Sequence, residues 1–224
     1  MAVHLVACQM LEDVLRPRLA LAQGLGSCRF VEYGLHTYPQ RMPSQLQAVL
    51  DGIGEPGVVL MGYGLCGQGV VGLRAGPHTL VIPRADDCIS LLVGSYGRFL
   101  EDCLAHPGTY YLSRGWLAAG YHPPGQLKEW APRYGEARTR RLLQNMYRNY
   151  RRVALLAFTP EGLAADRDEA RQVAGFMGVA YDEILGSAAW LEQLLLGASI
   201  PGSAAHDFVV VPPGGTVDYM AFMH

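Results

Sequence analysis

At 224 residues, half of them apolar and only 17% charged, the chain can bury a substantial core, and its composition excludes an intrinsically disordered protein. A net charge of −2 carries no basic footprint for nucleic acid, and no apolar run reaches the roughly 18 residues that a membrane helix needs. Five cysteines, an odd number without regular spacing, argue for reduced thiols over a disulfide framework. The N-terminus goes straight into a strand with no basic leader and no cleavage pattern, so a cytoplasmic protein is expected.

Residues 2–8 read as a first strand and residues 28–33 as a second, ending near Leu35 and His36. A helix opening at Pro43 carries Leu46, Val49, Leu50 and Ile53 at helical spacing, and Gly54 and Pro56 close it. The apolar run 57–61 is a third strand. It leads into Gly62-Tyr63-Gly64-Leu65-Cys66-Gly67-Gln68-Gly69, in which four glycines let the backbone turn sharply and approach a neighbour closely. Residues 78–83 form a fourth strand, followed by Arg84, the acidic pair Asp86 and Asp87, and Cys88, with one of the two aspartates placed to cap the next helix. An aromatic, β-prone stretch covers residues 107–116. One long helix is predicted from about Leu127 to Arg152, bent at Pro132, with Arg138, Arg140, Arg141, Arg148, Arg151 and Arg152 making it basic. Residues 153–158, 180–184 and 207–211 read as further strands, with helices at 170–177 and 188–196.

Strands alternating with helices at these lengths predict βαβ units. The expected fold class is α/β, with two Rossmann-like lobes of mostly parallel sheet: a cysteine-bearing lobe over residues 1–125, a connecting helix over 126–152 and a smaller second lobe over 153–224. The strand ends of both lobes are expected to face one cleft.

Cys8, Cys66 and Cys88 share one property. Each lies at or just past the carboxyl end of a predicted strand, the edge at which open α/β sheets bind ligands. Parallel neighbours are about 4.8 Å apart, so residues at their ends can converge. Three convergent thiolates make a soft site, suited to zinc or an iron–sulfur cluster, with a fourth position open or filled by His36, Asp86 or Asp87. Three inert buried thiols and a metal-free reactive cysteine are the competing readings. His36, Asp86 and Asp87 are the candidate proton-transfer groups. Arg84 could clamp an anionic group, and Tyr63, Tyr110, Gly64 and Gly67 could line a small-molecule site. The glycine turn is not a P-loop, since no Lys-Ser/Thr follows it, and it does not match the spacing of a dinucleotide fingerprint.

The combination of Ala7-Cys8, Leu35-His36, the glycine turn around Cys66, Ile82-Pro83-Arg84 with Asp87-Cys88, and the run from Pro107 to Trp116 resembles the prokaryotic family catalogued as domain of unknown function 1638. The likeness extends to Phe208-Val209-Val210-Val211-Pro212-Pro213-Gly214. It implies a companion of corrinoid-dependent methyl-transfer systems. The arrangement of three cysteines on separate segments is also similar to that of cluster-holding enzymes built from Rossmann-like lobes.

The reading is therefore a metal-binding protein that uses Cys8, Cys66 and Cys88 in an interlobe cleft. It would be a methyl-transfer or lyase-type enzyme acting on a small molecule of one-carbon or corrinoid-linked metabolism. The alternatives are a non-catalytic cofactor carrier or maturation partner, and a metal-free thiol enzyme. The expected partners are a small-molecule substrate and a corrinoid or methyltransferase protein, with no nucleic acid and no membrane. The apolar tail 219–223 suits a subunit interface in a homo-oligomer.

Overall fold

The apolar run at the start of the chain forms β1 (Ala2–Cys8), buried at six of its seven positions. The short helix α1 (Glu12–Leu15), strand β2 (Leu25–Val31) and helix α2 (Met42–Asp51) follow. Strand β3 (Gly57–Gly62) is buried along its whole length, as the unbroken run Val58-Val59-Leu60-Met61 requires of a parallel strand covered on both faces. Next come β4 (Thr79–Pro83), α3 (Cys88–Val93), α4 (Tyr96–Ala105), β5 (Thr109–Ser113), α5 (Arg114–Ala118), α6 (Pro123–Tyr134) and α7 (Glu136–Met146). The chain continues through β6 (Arg152–Ala157), α8 (Pro160–Met177), β7 (Ala180–Leu185), α9 (Ala189–Leu195) and β8 (Phe208–Val211). This computed structural model describes residues 2–32, 39–197 and 204–223. Among the described residues, no helix is long and apolar enough to cross a membrane.

The protein is α/β, with two Rossmann-like sheets in two compact units. Met1–Tyr96 and Ala188–His224 make the first unit, and Gly97–Ser187 the second. The first sheet has the order β2-β1-β3-β4-β8. Its first three pairings are parallel and β4–β8 is antiparallel. Helix α9 packs on β3 and β4 and buries Trp190, Leu191, Leu194 and Leu195. Each such side chain contributes about 1.5–3 kcal/mol of transfer free energy.

The second unit carries a parallel sheet of order β5-β6-β7. Leu112, Val153, Leu155, Leu163, Ala170, Val173 and Ala174 form its core. Helix α8 starts where the Thr159 hydroxyl accepts the Gly162 amide, with Pro160 at the first helical position, and it stops at Gly178, whose φ is 70°.

Three expectations change. The predicted long helix is two helices, α6 and α7, which meet at Gly135 with φ 81°; Pro132 sits inside α6 instead of marking the break. Arg152 is not on a helix. It opens β6 and is buried, with its Nε on the Thr109 hydroxyl, Nη1 on Asp182 and Nη2 on Asp102. The strand at 208–211, expected in the later lobe, pairs with β4: Leu80 lies opposite Val211 and Pro83 opposite Phe208.

Candidate functional site

Parallel pairing sets the ends of β1 and β3 side by side. Ala7 lies in register with Gly62, so Cys8 and Tyr63 are the next residues on neighbouring strands. Beyond β3 the chain does not leave the sheet edge at once. The Leu65 amide donates to the Ala85 carbonyl over 2.7 Å and the Cys66 amide to the Asp86 carbonyl over 2.8 Å. Residues 64–66 therefore run along residues 85–87, which lead directly into Cys88 at the start of α3. Gly64 permits that approach, because a methyl group there would stand 2.6 Å from the Ala85 oxygen and 3.0 Å from the Asp87 nitrogen.

The backbone then turns left-handed for three residues. Cys66, Gly67 and Gln68 have φ of 47°, 64° and 72°, and the Gly69 amide closes the turn on the Cys66 carbonyl. For a residue with a side chain this conformation costs roughly 1–2 kcal/mol, and strain of this kind persists only where the surroundings impose it. The buried side chain of Met42, from the start of α2, rests against the turn: a methyl group on Gly69 would collide with its thioether. Nothing in the local sequence marks Met42, because its contact spans the stretch between α2 and the glycine turn.

The three thiols share one electrostatic environment. Cys8 and Cys88 are buried and Cys66 is half-buried. Burial pushes the Cys8 thiol up to about 11, against the opposing effect of the Met10 amide. Cys66 is pushed up to about 12, by burial first and then by Cys8 and Asp87, while the N–H groups of Gly64 and Cys88 pull the other way. Cys88 is held well above the ordinary thiol range by burial, then by Cys66, Cys8 and Asp87. Cys88 thus feels both other sulfurs and Cys66 feels Cys8, and burial keeps each a neutral thiol at pH 7. Cys28 is exposed on β2, and Cys103 lies on α4, where its sulfur is 3.6 Å from the Tyr111 hydroxyl.

Tyr63 completes the cluster. It is 1% exposed, and its hydroxyl has no hydrogen-bond partner among the described residues. Burial holds the phenol in its neutral form, and Cys8, Cys66 and Cys88 all act in the same direction.

The remaining expected site residues are placed as follows. Asp87 is the cap of α3: one carboxylate oxygen accepts the amides of Ile89 (2.9 Å) and Ser90 (3.1 Å) and the Ser90 hydroxyl. Burial raises its pKa. Asp86 is exposed and reaches Cys66 through its backbone carbonyl. Arg84 is half-buried; its amide donates to the Asp207 carbonyl, and its side-chain Nε is buried without a partner among the described residues. Gly67 has open space where a side chain would stand. His36 lies outside the described residues. Tyr110 belongs to the second unit, where its hydroxyl donates to the Tyr121 carbonyl and its ring meets Tyr147 and Tyr150 edge-on. Among the described residues, no group of three or more His, Cys, Asp and Glu side chains is arranged to hold a metal ion.

A sequence profile of the family described as "Protein of unknown function (DUF1638)" matches residues 30–195. No curated protein and no solved structure matches the chain.

Proposed function

We propose that this chain, which belongs to the DUF1638 family, binds a soft metal centre through Cys8, Cys66 and Cys88. The observation that supports this reading is that three thiols from separate segments share one buried environment, where a charge on Cys8 bears on Cys66 and charges on both bear on Cys88. Three negative charges in one apolar place are unstable without a cation, and a bound metal converts that repulsion into ligation. Binding would have to displace the thiol protons and rotate the three side chains about Cα–Cβ, so uptake is coupled to proton release. The N–H groups of Gly64, Cys88 and Met10, which already face the sulfurs, would then stabilise the thiolates.

The proposed centre is zinc or an iron–sulfur cluster, and three protein ligands leave a position for a substrate. There the metal would supply Lewis acidity or activate a bound thiol. We read the chain as a methyl-transfer or lyase-type enzyme for a small molecule of one-carbon or corrinoid-linked metabolism, with Arg84 holding an anionic group. A metal-free thiol enzyme fits less well, because a thiol raised to about 12 has almost no thiolate at pH 7. The test is metal analysis and ultraviolet–visible spectroscopy of protein purified without oxygen, beside Cys66→Ala and Cys88→Ala. Stoichiometric zinc or iron in the parent and its loss in the variants is the expected result. Near-zero metal in all three samples refutes the proposal.

A further inference from the structure

The second unit contains a hollow of about 570 Å³ at the amino edge of its sheet, between the turn that leads from α7 into β6 and the end of α8, where the chain enters β7. Small-molecule sites run from roughly 300 to 1,000 Å³. The wall carries two exposed guanidinium groups, Arg148 and Arg151, and no carboxylate. Each is anchored through one nitrogen. Nη1 of Arg148 donates to the Asn145 side-chain oxygen, and Nη1 of Arg151 to the carbonyls of Arg148 (2.8 Å) and Tyr150 (3.1 Å). Neither arginine forms an ion pair among the described residues. Nor do they offset the dipole of α7: their acceptors are a side chain and two carbonyls beyond Met146, where that helix stops. A guanidinium anchored in this way keeps its other N–H groups for an anion, which it grips as a fork.

Gly175 is a second observation. It lies inside α8, where glycine weakens a helix relative to alanine, and a methyl group there would meet nothing within 4 Å. Packing does not require glycine at this position, but a bare backbone keeps the hollow open. The half-buried rings of Tyr147, Tyr150 and Phe176 supply the rest of the argument, with Tyr147 and Tyr150 5.8 Å apart between centroids and tilted by 36°.

We propose that this hollow binds a small molecule in which a planar ring carries a phosphate, as in a nucleoside monophosphate. Arg148 and Arg151 hold the phosphate, and the three aromatic side chains pack against the ring. No histidine, cysteine, lysine or acid lies on the wall, so the site binds its ligand without transforming it. It belongs to a different unit from the three thiols and stands independently of the metal reading.

The experiment is calorimetric titration of the full chain with adenosine monophosphate, adenosine and inorganic phosphate. The parent is compared with the pair Arg148→Gln/Arg151→Gln, with Gly175→Leu, and with the charge-matched pair Arg138→Gln/Arg141→Gln, which lies on α7 off the hollow. The parent and the charge-matched pair are expected to bind adenosine monophosphate equally, and more tightly than either fragment. The Arg148/Arg151 pair and Gly175→Leu are expected to bind it about tenfold or more weakly, through lost charge-assisted bonds and a filled hollow respectively. Melting temperatures report folding, and the exposed arginines test the site even if leucine disturbs α8. No binding by the parent overturns the proposal. Equal losses in the two arginine pairs overturn it as well, since the attraction would then be diffuse charge. Phosphate binding as tight as adenosine monophosphate removes the ring from the site and overturns it too, as does parent-like affinity in a folded Gly175→Leu.

Discussion

The amide of Cys66 donates to the carbonyl oxygen of Asp86 over 2.8 Å, and that bond ties the glycine turn to the segment that delivers Cys88. It forms only because Gly64 lets the two backbones touch. Gly64→Ala would place a methyl group 2.6 Å from the Ala85 oxygen. The neighbour is backbone and cannot swing aside, so we expect a loss of about 1–3 kcal/mol of stability. Metal uptake should fall in parallel, measured by urea unfolding and by bound metal per chain. An Ala variant that is as stable as the parent would show that the two segments are free to separate.

The left-handed turn predicts opposite effects for two changes at one position. Gln68 has φ 72°, a conformation that glycine adopts without strain. Gln68→Gly should leave the urea midpoint unchanged or raise it, with the relief of strain set against the greater freedom of the unfolded chain. Gln68→Val should lower stability by about 1–2 kcal/mol, because a β-branched residue resists this conformation most. Equal midpoints for the two variants would refute the strain argument.

Alkylation separates the cysteines. Cys28 is exposed, whereas Cys8 and Cys88 are buried and Cys66 is raised to about 12. Iodoacetamide at pH 7 on native metal-free protein should label Cys28 ahead of the other three, as read by peptide mass spectrometry. Rapid labelling of Cys66 would instead favour a reactive free thiol.

Acid should weaken the first unit through His78. The ring is 2% exposed, its Nδ1 has no partner among the described residues, and it meets His4 edge-on at 6.1 Å between centroids. Burial, and then His4, lower its pKa, against an opposing backbone contact at Ile53. Below about 6.5, the ordinary value, the unfolded chain takes up the proton more readily than the folded one. The contribution of His78 is therefore complete above that pH and falls away below it, by at most about 1.4 kcal/mol per pH unit. His122 is shifted in the same direction by its own burial. Urea midpoints between pH 7.5 and 5 should fall for the parent and fall less for His78→Leu. Identical slopes would exclude His78 as a cause.

In the second unit, Arg152→Met should cost about 3 kcal/mol. It removes the cation that serves Asp102, Asp182 and Thr109, and it leaves the half-buried Asp102 carboxylate with only Tyr111 and His106. Adding Asp102→Asn should recover part of the loss. Additive losses, measured by thermal melting of the three proteins, would refute the coupling.

Much of this was legible in the residues. The strand identity of 57–61, the close approach at Gly64 and the cap at Asp87 follow from local patterns: an apolar run, a bare turn and an acid before a helix. The placement of Cys8, Cys66 and Cys88 at strand ends followed from the same periodicity. What escaped was set by distance along the chain or by a single residue outvoted by its neighbours. Gly135 costs a helix only about 1 kcal/mol, so the periodicity on either side hid the break between α6 and α7. Arg152 read as part of a basic face because its carboxylates stand 50 and 30 residues away. Phe208–Val211 looked like a strand, but nothing in its four residues names β4 as its neighbour. The Tyr63 hydroxyl, without a partner among the described residues, is likewise invisible until the residues packed around it are placed.

That last pairing governs the order of events at the ribosome. The edge of β4 stays open until Phe208–Val211 has emerged from the exit tunnel, and by then every residue of Gly97–Ser187 has already left it. The interposed unit can fold while the first is still incomplete. The sheet that carries the three sulfurs therefore matures last, and a nascent chain stalled before β8 would present an apolar border to chaperones and to oxidants alike.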